Sequence, residues 1–119
     1  MNDNYQNQTY LTLLDKLGPK QSLILIEKLM IDLKNVRRGL RAAQSAKAVD
    51  MLNEPSHVLI SLAGVVGVME LHKVAKKINE FKPLYSTDFP DGTVLAAINQ
   101  LDGLLRFLKS DQSARGNLP

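Results

Sequence analysis

An all-α protein, an antiparallel up-down four-helix bundle with a short extra N-terminal helix, is what this sequence predicts. Three observations carry that expectation. Apolar residues recur at three- and four-residue steps over long stretches, the period of a helix with one buried face. No segment shows period-two alternation bounded by hairpin turns, and the valines of Val65-Val66-Gly67-Val68 are too few and too flanked by helical pattern to seed a sheet. The periodic stretches are joined by short connections, which fold successive helices back on one another within a chain of 119 residues.

The first few residues are polar and are expected to fray. Residues 10–17 read as a short helix with Leu11, Leu14 and Leu17 at helical spacing. Gly18 stops it and Pro19 restarts the chain, the usual order of a glycine past a C-terminus and a proline in a first turn. Residues 20–43 read as a long helix whose seam is Ile26, Leu29, Leu33, Val36 and Leu40. A third helix is expected over residues 47–66, after a turn at residues 44–46. Pro55 falls inside it, removes the bond to the carbonyl of Met51 and predicts a bend; a clean break capped by Asn53 is the alternative. A fourth helix over residues 68–81 buries Leu71, Val74, Ala75 and Ile78, and Pro83 ends it ahead of a loop through residue 92. The fifth, over residues 93–109, buries Leu95, Ile98, Leu101, Leu105 and Leu108, with Asp91 or Thr93 as its cap. Residues 110–119 are small and polar and read as a disordered tail, which leaves a single domain structured over residues 10–109.

Composition narrows the function classes. The length fits one domain with a real core. Cysteine is absent, which excludes disulfides and thiolate metal sites and fits a reducing compartment. No apolar run reaches the roughly 18 residues needed to span a membrane. The polar start, Met-Asn-Asp-Asn-Tyr-Gln, lacks the basic-then-apolar pattern of a signal peptide, so a cytoplasmic location is expected. The net charge is only +3. Lys34, Arg37, Arg38 and Arg41 gather on one helix and Lys73, Lys76 and Lys77 on another, but interspersed acids and few aromatics argue against a nucleic-acid platform. Solvated helix faces, or a face for an acidic protein partner, account for these charges better.

The stretch from Ser56 to Gly67 is the most informative. On a helix, His57, Ile60, Ser61 and Gly64 share one face, while Leu59, Leu62, Ala63 and Val66 form the opposite apolar stripe. A histidine thus stands on the polar side, next to small residues. Gly64 and Gly67 cost helix stability, about 1 kcal/mol each against alanine, so close approach or helix termination is expected there. His57 has no cysteine or carboxylate at ligand spacing, and His72, fifteen residues on, is about four helical turns away; no metal site is expected. His72 reads as a surface residue. No Ser-His-Asp or paired-carboxylate arrangement emerges from the spacing.

With these residues laid out, the chain resembles the histidine-containing phosphotransfer (HPt) domain family. The family pattern runs roughly H-x-x-K-G-S-[SA]-x-x-x-G, after a long helix with a Phe-Leu-x-Asp-like segment. His57 takes the phosphoacceptor place, Ala63 matches the small residue, Gly67 falls at the terminal glycine, and Met30-Ile31-Asp32 resembles the upstream segment. The likeness runs over residues 11–109. It departs at Ile60, where the family has lysine, and at Ser61, where it has glycine.

The resemblance implies a phosphorelay intermediate rather than a self-contained enzyme. His57 would accept a phosphoryl group from the aspartate of a response-regulator receiver domain and pass it on, its partners being that receiver or a hybrid histidine kinase. No cofactor of its own is implied, because the Mg²⁺ belongs to the receiver. A monomer is expected, with no nucleic-acid or membrane partner. The family's lysine helps to offset phosphate charge; Ile60 cannot, whereas Ser61 can still donate a hydrogen bond to a phosphate oxygen or the ring.

Docking is expected on Ile60, Ser61 and Gly64 and on the flank of the long helix. Reflection about the turn at residues 44–46 puts residues 32–35 level with His57. Two strips are then possible: Lys28, Asp32 and Asn35, or Lys34, Arg37 and Arg41. The first coincides with the family's Asp-bearing segment and is preferred. The alternative function is a degenerate HPt-like module that binds receivers, or another protein, without carrying phosphate. A helical adaptor or nucleic-acid binder is the third class, with only the modest basicity in its favour.

Overall fold

The computed structural model of the chain describes residues 5–81 and 88–117. The expectations for residues 1–4, for Pro83 and the loop through residue 87, and for residues 118–119 lie outside the described residues. Among the described residues the chain is helical and has no strand. Its elements are α1 (Gln8–Ala46), a 3-10 turn (Val49–Leu52), α2 (Asn53–Val66), α3 (Met69–Glu80) and α4 (Asp91–Gly116). Both α1 and α3 pack against α2 and α4. Among the described residues no helix is long and apolar enough to cross a membrane.

The expected first and second helices meet at a kink inside α1. Gly18 there is the one non-helical residue, with φ 82° and ψ 169°, and Pro19 follows it. Beyond the kink, the buried Ser22 hydroxyl donates to the Leu14 carbonyl at 2.9 Å, so the backbone on the near side keeps a partner. At its start, Asn7 accepts from the Tyr10 N–H at 2.9 Å, a side-chain N-cap. The same side chain donates to the carbonyls of Val66 and Gly67 at 2.9 and 3.1 Å, which ties the start of α1 to the end of α2. The seam of Ile26, Leu29, Leu33, Val36 and Leu40 is buried as its spacing predicts.

The third helix differs from expectation. Lys47 adopts the left-handed conformation, φ 51° and ψ 39°, and α1 ends on it. The N–H groups of Lys47 and Ala48 turn back to the carbonyls of Gln44 and Ala43, the paired bonds that close a helix C-terminus. The 3-10 turn follows, and α2 begins only at Asn53. Pro55 therefore lies in the first turn, where a helix has no partner for its N–H groups, and it produces no mid-helix bend. Asn53 is itself helical, φ −60° and ψ −49°, rather than an N-cap.

Two expectations for α4 also fail. The helix starts at Asp91 with Pro90 in the N-cap position, so Asp91 and Thr93 lie inside its first turn rather than capping it. It then continues through Gly116, across most of the stretch read as a disordered tail. Polar residues of that last portion are tied to the rest of the fold. Tyr10, fully buried, donates its hydroxyl hydrogen to Asp111 at 2.6 Å, Arg115 donates to the same carboxylate at 2.7 Å, and Gln112 donates to Glu27 at 2.8 Å. Along α4 the buried face is Val94, Ala97, Ile98, Leu101, Leu104 and Leu108, while Leu95 is exposed and Leu105 half-buried. Arg37 of α1 grips Asp102 through two bonds of 2.6 and 3.2 Å, further joining the two helices.

Candidate functional site

His57 is the fifth residue of α2 and is exposed, as are Ser61 and Gly64 on the same side. Behind them Ser56, Leu59, Ala63 and Val66 are buried. The placement follows from the 3.6-residue period, since the buried and exposed sets lie on opposite sides of one short helix. Ile60 is not a surface residue in the same sense: it is half-buried and packs on the core. The two glycines of the stretch part ways. Gly67 closes α2 in the left-handed conformation, φ 72°, and a Cβ there would lie 2.6 Å from both Oδ1 of Asn7 and Cβ of Thr9. Gly64 is helical, and a Cβ there would meet only the ring of His72, at an ordinary 3.8 Å.

α3 flanks this face at both ends. Near the start of α2, the Asn79 side-chain amide donates to the carbonyl and to Oδ1 of Asn53, each at 3.3 Å, and to Oγ of the buried Ser56 at 3.1 Å. Asn53 stands one turn ahead of His57. At the other end His72, half-buried, lies beside Gly64, two turns past His57. His72 and Asn79 are thus edge residues of the His57 face. They are four and three residues from Lys76, so spacing alone shows that the three share a side of α3, but not that this side meets α2.

α1 flanks the opposite side of α2. A groove of about 540 Å³ between the two helices is lined by Asp32, Asn35, Val36 and Gly39 and, from the α2 side, by Asp50, Met51, Glu54, Pro55 and Val58. The Cβ of Pro55 lies 3.2 Å from where a side chain at Gly39 would begin, so glycine lets the helices close at this point. Asp32 and Asn35 line this groove together with Val58 and Glu54, and His57 is not among its lining residues. Lys28 lies outside the groove lining and pairs with Asp32 at 3.2 Å. Asn35 accepts from Arg38 at 2.9 Å. Of the alternative strip, Arg37 turns to Asp102 on α4 and Arg41 to Gln44.

The site is electrostatically lopsided. Asp32, Asp50 and Glu54 gather on the α1 side, while α3 carries three lysines, Lys73, Lys76 and Lys77, against two glutamates, Glu70 and Glu80. Val58, next to the histidine in the chain and 38% exposed, lines the groove with an apolar side chain. Among the described residues no three histidine or acidic side chains converge in a way that could hold a metal ion. What the arrangement can do chemically is present one accessible imidazole on a packed helix, with an apolar and acidic groove on one flank and the α3 edge, with Asn79 and His72, on the other. The chain matches no family model, none of the curated proteins and none of the solved structures with which it was compared.

Proposed function

We propose that the chain is a phosphorelay intermediate that accepts a phosphoryl group on His57 from a receiver-domain aspartate and passes it on. The observation that carries this reading is the position of His57: exposed in the second turn of a helix whose other side is buried, with exposed Ser61 and Gly64 on its own side. Helix contacts compatible with an up-down bundle support it, the N-terminal segment before Gly18 serving as the extra short helix. The likeness of residues 57–67 to the HPt pattern supplies the reaction class.

The chemistry asks little of this protein. The unprotonated ring nitrogen of a neutral imidazole attacks the phosphorus of an aspartyl phosphate. A P–N bond forms as the P–O bond to the aspartate breaks, the carboxylate leaves with the electron pair, and the ring's N–H proton passes to solvent. Mg²⁺ on the receiver neutralises the transferring group. α2 supplies position: a nucleophile on a packed helix meets its partner in one orientation. The groove with Val58, Asp32 and Asn35 offers the adjoining docking surface.

A second reading, receiver binding without phosphate transfer, is favoured by Ile60, which puts a half-buried alkyl chain where a cation would serve the phosphate. Incubation with a phosphorylated receiver and Mg²⁺ separates the two. Transfer predicts an acid-labile, base-stable label on the wild type that disappears in His57→Gln without loss of fold. A receiver complex with no label on the protein decides for the second reading.

A further inference from the structure

We infer that Lys76, from the neighbouring helix α3, is the cation that faces a phosphoryl group on His57. This rests on the phosphotransfer reading above and assigns to that site a phosphate-binding residue of its own. A phosphoryl group brings close to two negative charges to the ring. On the α1 side it meets carboxylates: Glu54 stands one turn before His57 on α2, and Asp32 and Asp50 lie beyond it across the groove. Ile60, one turn after His57, has no charge to offer.

The register of α3 against α2 supplies what α2 lacks. Asn79 bonds to Asn53 and Ser56 at the start of α2, and His72 lies against Gly64 two turns past His57. These two contacts bracket the His57 face along its length. Lys76 lies between them, one turn from each on the same side of α3, which places it level with Ile60 on the edge of α2 that α3 flanks. It is exposed, and no ion pair engages it among the described residues. Lys73, in contrast, pairs with Glu70 at 3.6 Å. Lys77 falls a further 100° round the helix from Lys76, away from the α2 edge. A lysine on a flexible four-carbon stem can follow a phosphate on a neighbouring helix as a point charge, without the fixed geometry an arginine fork would need.

The test reads the charge at the phosphate itself. His57 is loaded with phosphoramidate, the signal is assigned by its absence in His57→Gln, and its second ionisation is followed by phosphorus NMR across pH. A nearby ammonium favours the dianion, so Lys76→Gln should raise the phosphoryl pKa by about 0.5 unit, a threefold change in proton affinity typical of a solvated ion pair. Lys76→Arg should hold it near the wild-type value, Ile60→Lys should restore it in the Lys76→Gln background, and the shift should shrink in high salt. Lys77→Gln should leave it unmoved. A Lys76→Gln protein that titrates like the wild type, or a Lys77→Gln shift of the same size, overturns the assignment. Failure of a phosphorylated receiver to transfer to a protein that phosphoramidate does load would overturn the phosphorelay reading instead.

Discussion

Asn79 and Asn53 join α3 to α2 one helical turn ahead of His57, the amide of the first reaching both the carbonyl and the side-chain oxygen of the second at 3.3 Å. Ser56 shares the same amide at 3.1 Å and, being buried, sends its own hydroxyl hydrogen back to the Asn53 carbonyl at 3.1 Å. An amide has two hydrogens for these three acceptors, so the cluster is shared rather than fully paired. It fixes the start of α2 along the edge where α3 meets it. The exposed imidazole of His57 makes none of these bonds and is not needed to hold the helix. The residue that would take the phosphate is therefore separable from the residues that keep its helix in place, as the His57→Gln experiment requires.

Docking and stability should separate between Val58 and Ile60. Val58→Lys places a hydrated ammonium in the groove, four residues after Glu54, an i,i+4 pairing that helices tolerate well. Its unfolding free energy should stay within about 0.5 kcal/mol of the wild type, while receiver binding weakens by about 1 kcal/mol or more. Ile60→Asp instead takes a carboxylate into half-buried surroundings and should lower the unfolding free energy by about 1–3 kcal/mol. Urea unfolding and titration with a receiver check both. Undiminished receiver binding by Val58→Lys would remove the α1–α2 groove from the docking surface.

What was legible in the sequence, and what was not, follows from where the information lies. Ile26 to Leu40 form an uninterrupted periodic run, and each expected seam residue is buried because a long helix leaves the pattern no second solution. The exposed side of His57 was readable for the same reason. Pro55 misled because a proline in a first turn and one in mid-helix look alike until the start of the helix is known. That start depends on Lys47 in the left-handed conformation, a place where glycine is the usual signal and a lysine gives none. Residues 110–116 look like a solvated tail, yet Asp111, Gln112 and Arg115 are satisfied by partners about 85 to 100 residues away or within their own turn. The α3 edge of the site was out of reach because helix-to-helix register is a tertiary property. Asn79 and His72 gain meaning only from facing Asn53 and Gly64.

Alanine at the two glycines after His57 should have effects of opposite sign. Gly67→Ala forces a side chain into the left-handed conformation, about 1–2 kcal/mol, and drives its Cβ into Asn7 and Thr9. Because Asn7 caps α1 and holds the carbonyls of Val66 and Gly67, disturbing it adds about 1 kcal/mol. A total loss of about 2–3 kcal/mol is expected. Gly64→Ala meets only the ring of His72 at van der Waals distance and gains helix propensity, so it should stabilise by up to about 1 kcal/mol. Denaturant unfolding of the two variants is the check. Equal losses at both positions would mean that Gly64 also serves a close approach.

The last expectation concerns alkaline pH and Tyr10. Its ring is fully buried and its hydroxyl donates to the carboxylate of Asp111. Burial first, and then the bond to Asp111 and its charge, push the phenol well above its ordinary value of 10.0. The unfolded chain therefore releases this proton at about pH 10 while the folded one keeps it, and above that pH the unfolded state binds fewer protons. Stability consequently falls with rising pH. Below pH 10 both states hold the proton, and the contribution is fully present. Tyr10→Phe removes the hydrogen bond to a charged acceptor, so at pH 7 it should cost about 1.5–3 kcal/mol. Arg115 still pairs with Asp111 in the variant, which keeps that carboxylate from being stranded. The variant should also lose this part of the alkaline decline, keeping only what Tyr5, raised by its own burial, contributes. Unfolding free energies measured from pH 7 to 11 should then converge for the two proteins above pH 10. Parallel curves across that range would show that the Tyr10 hydroxyl does not hold its proton more tightly in the fold than outside it.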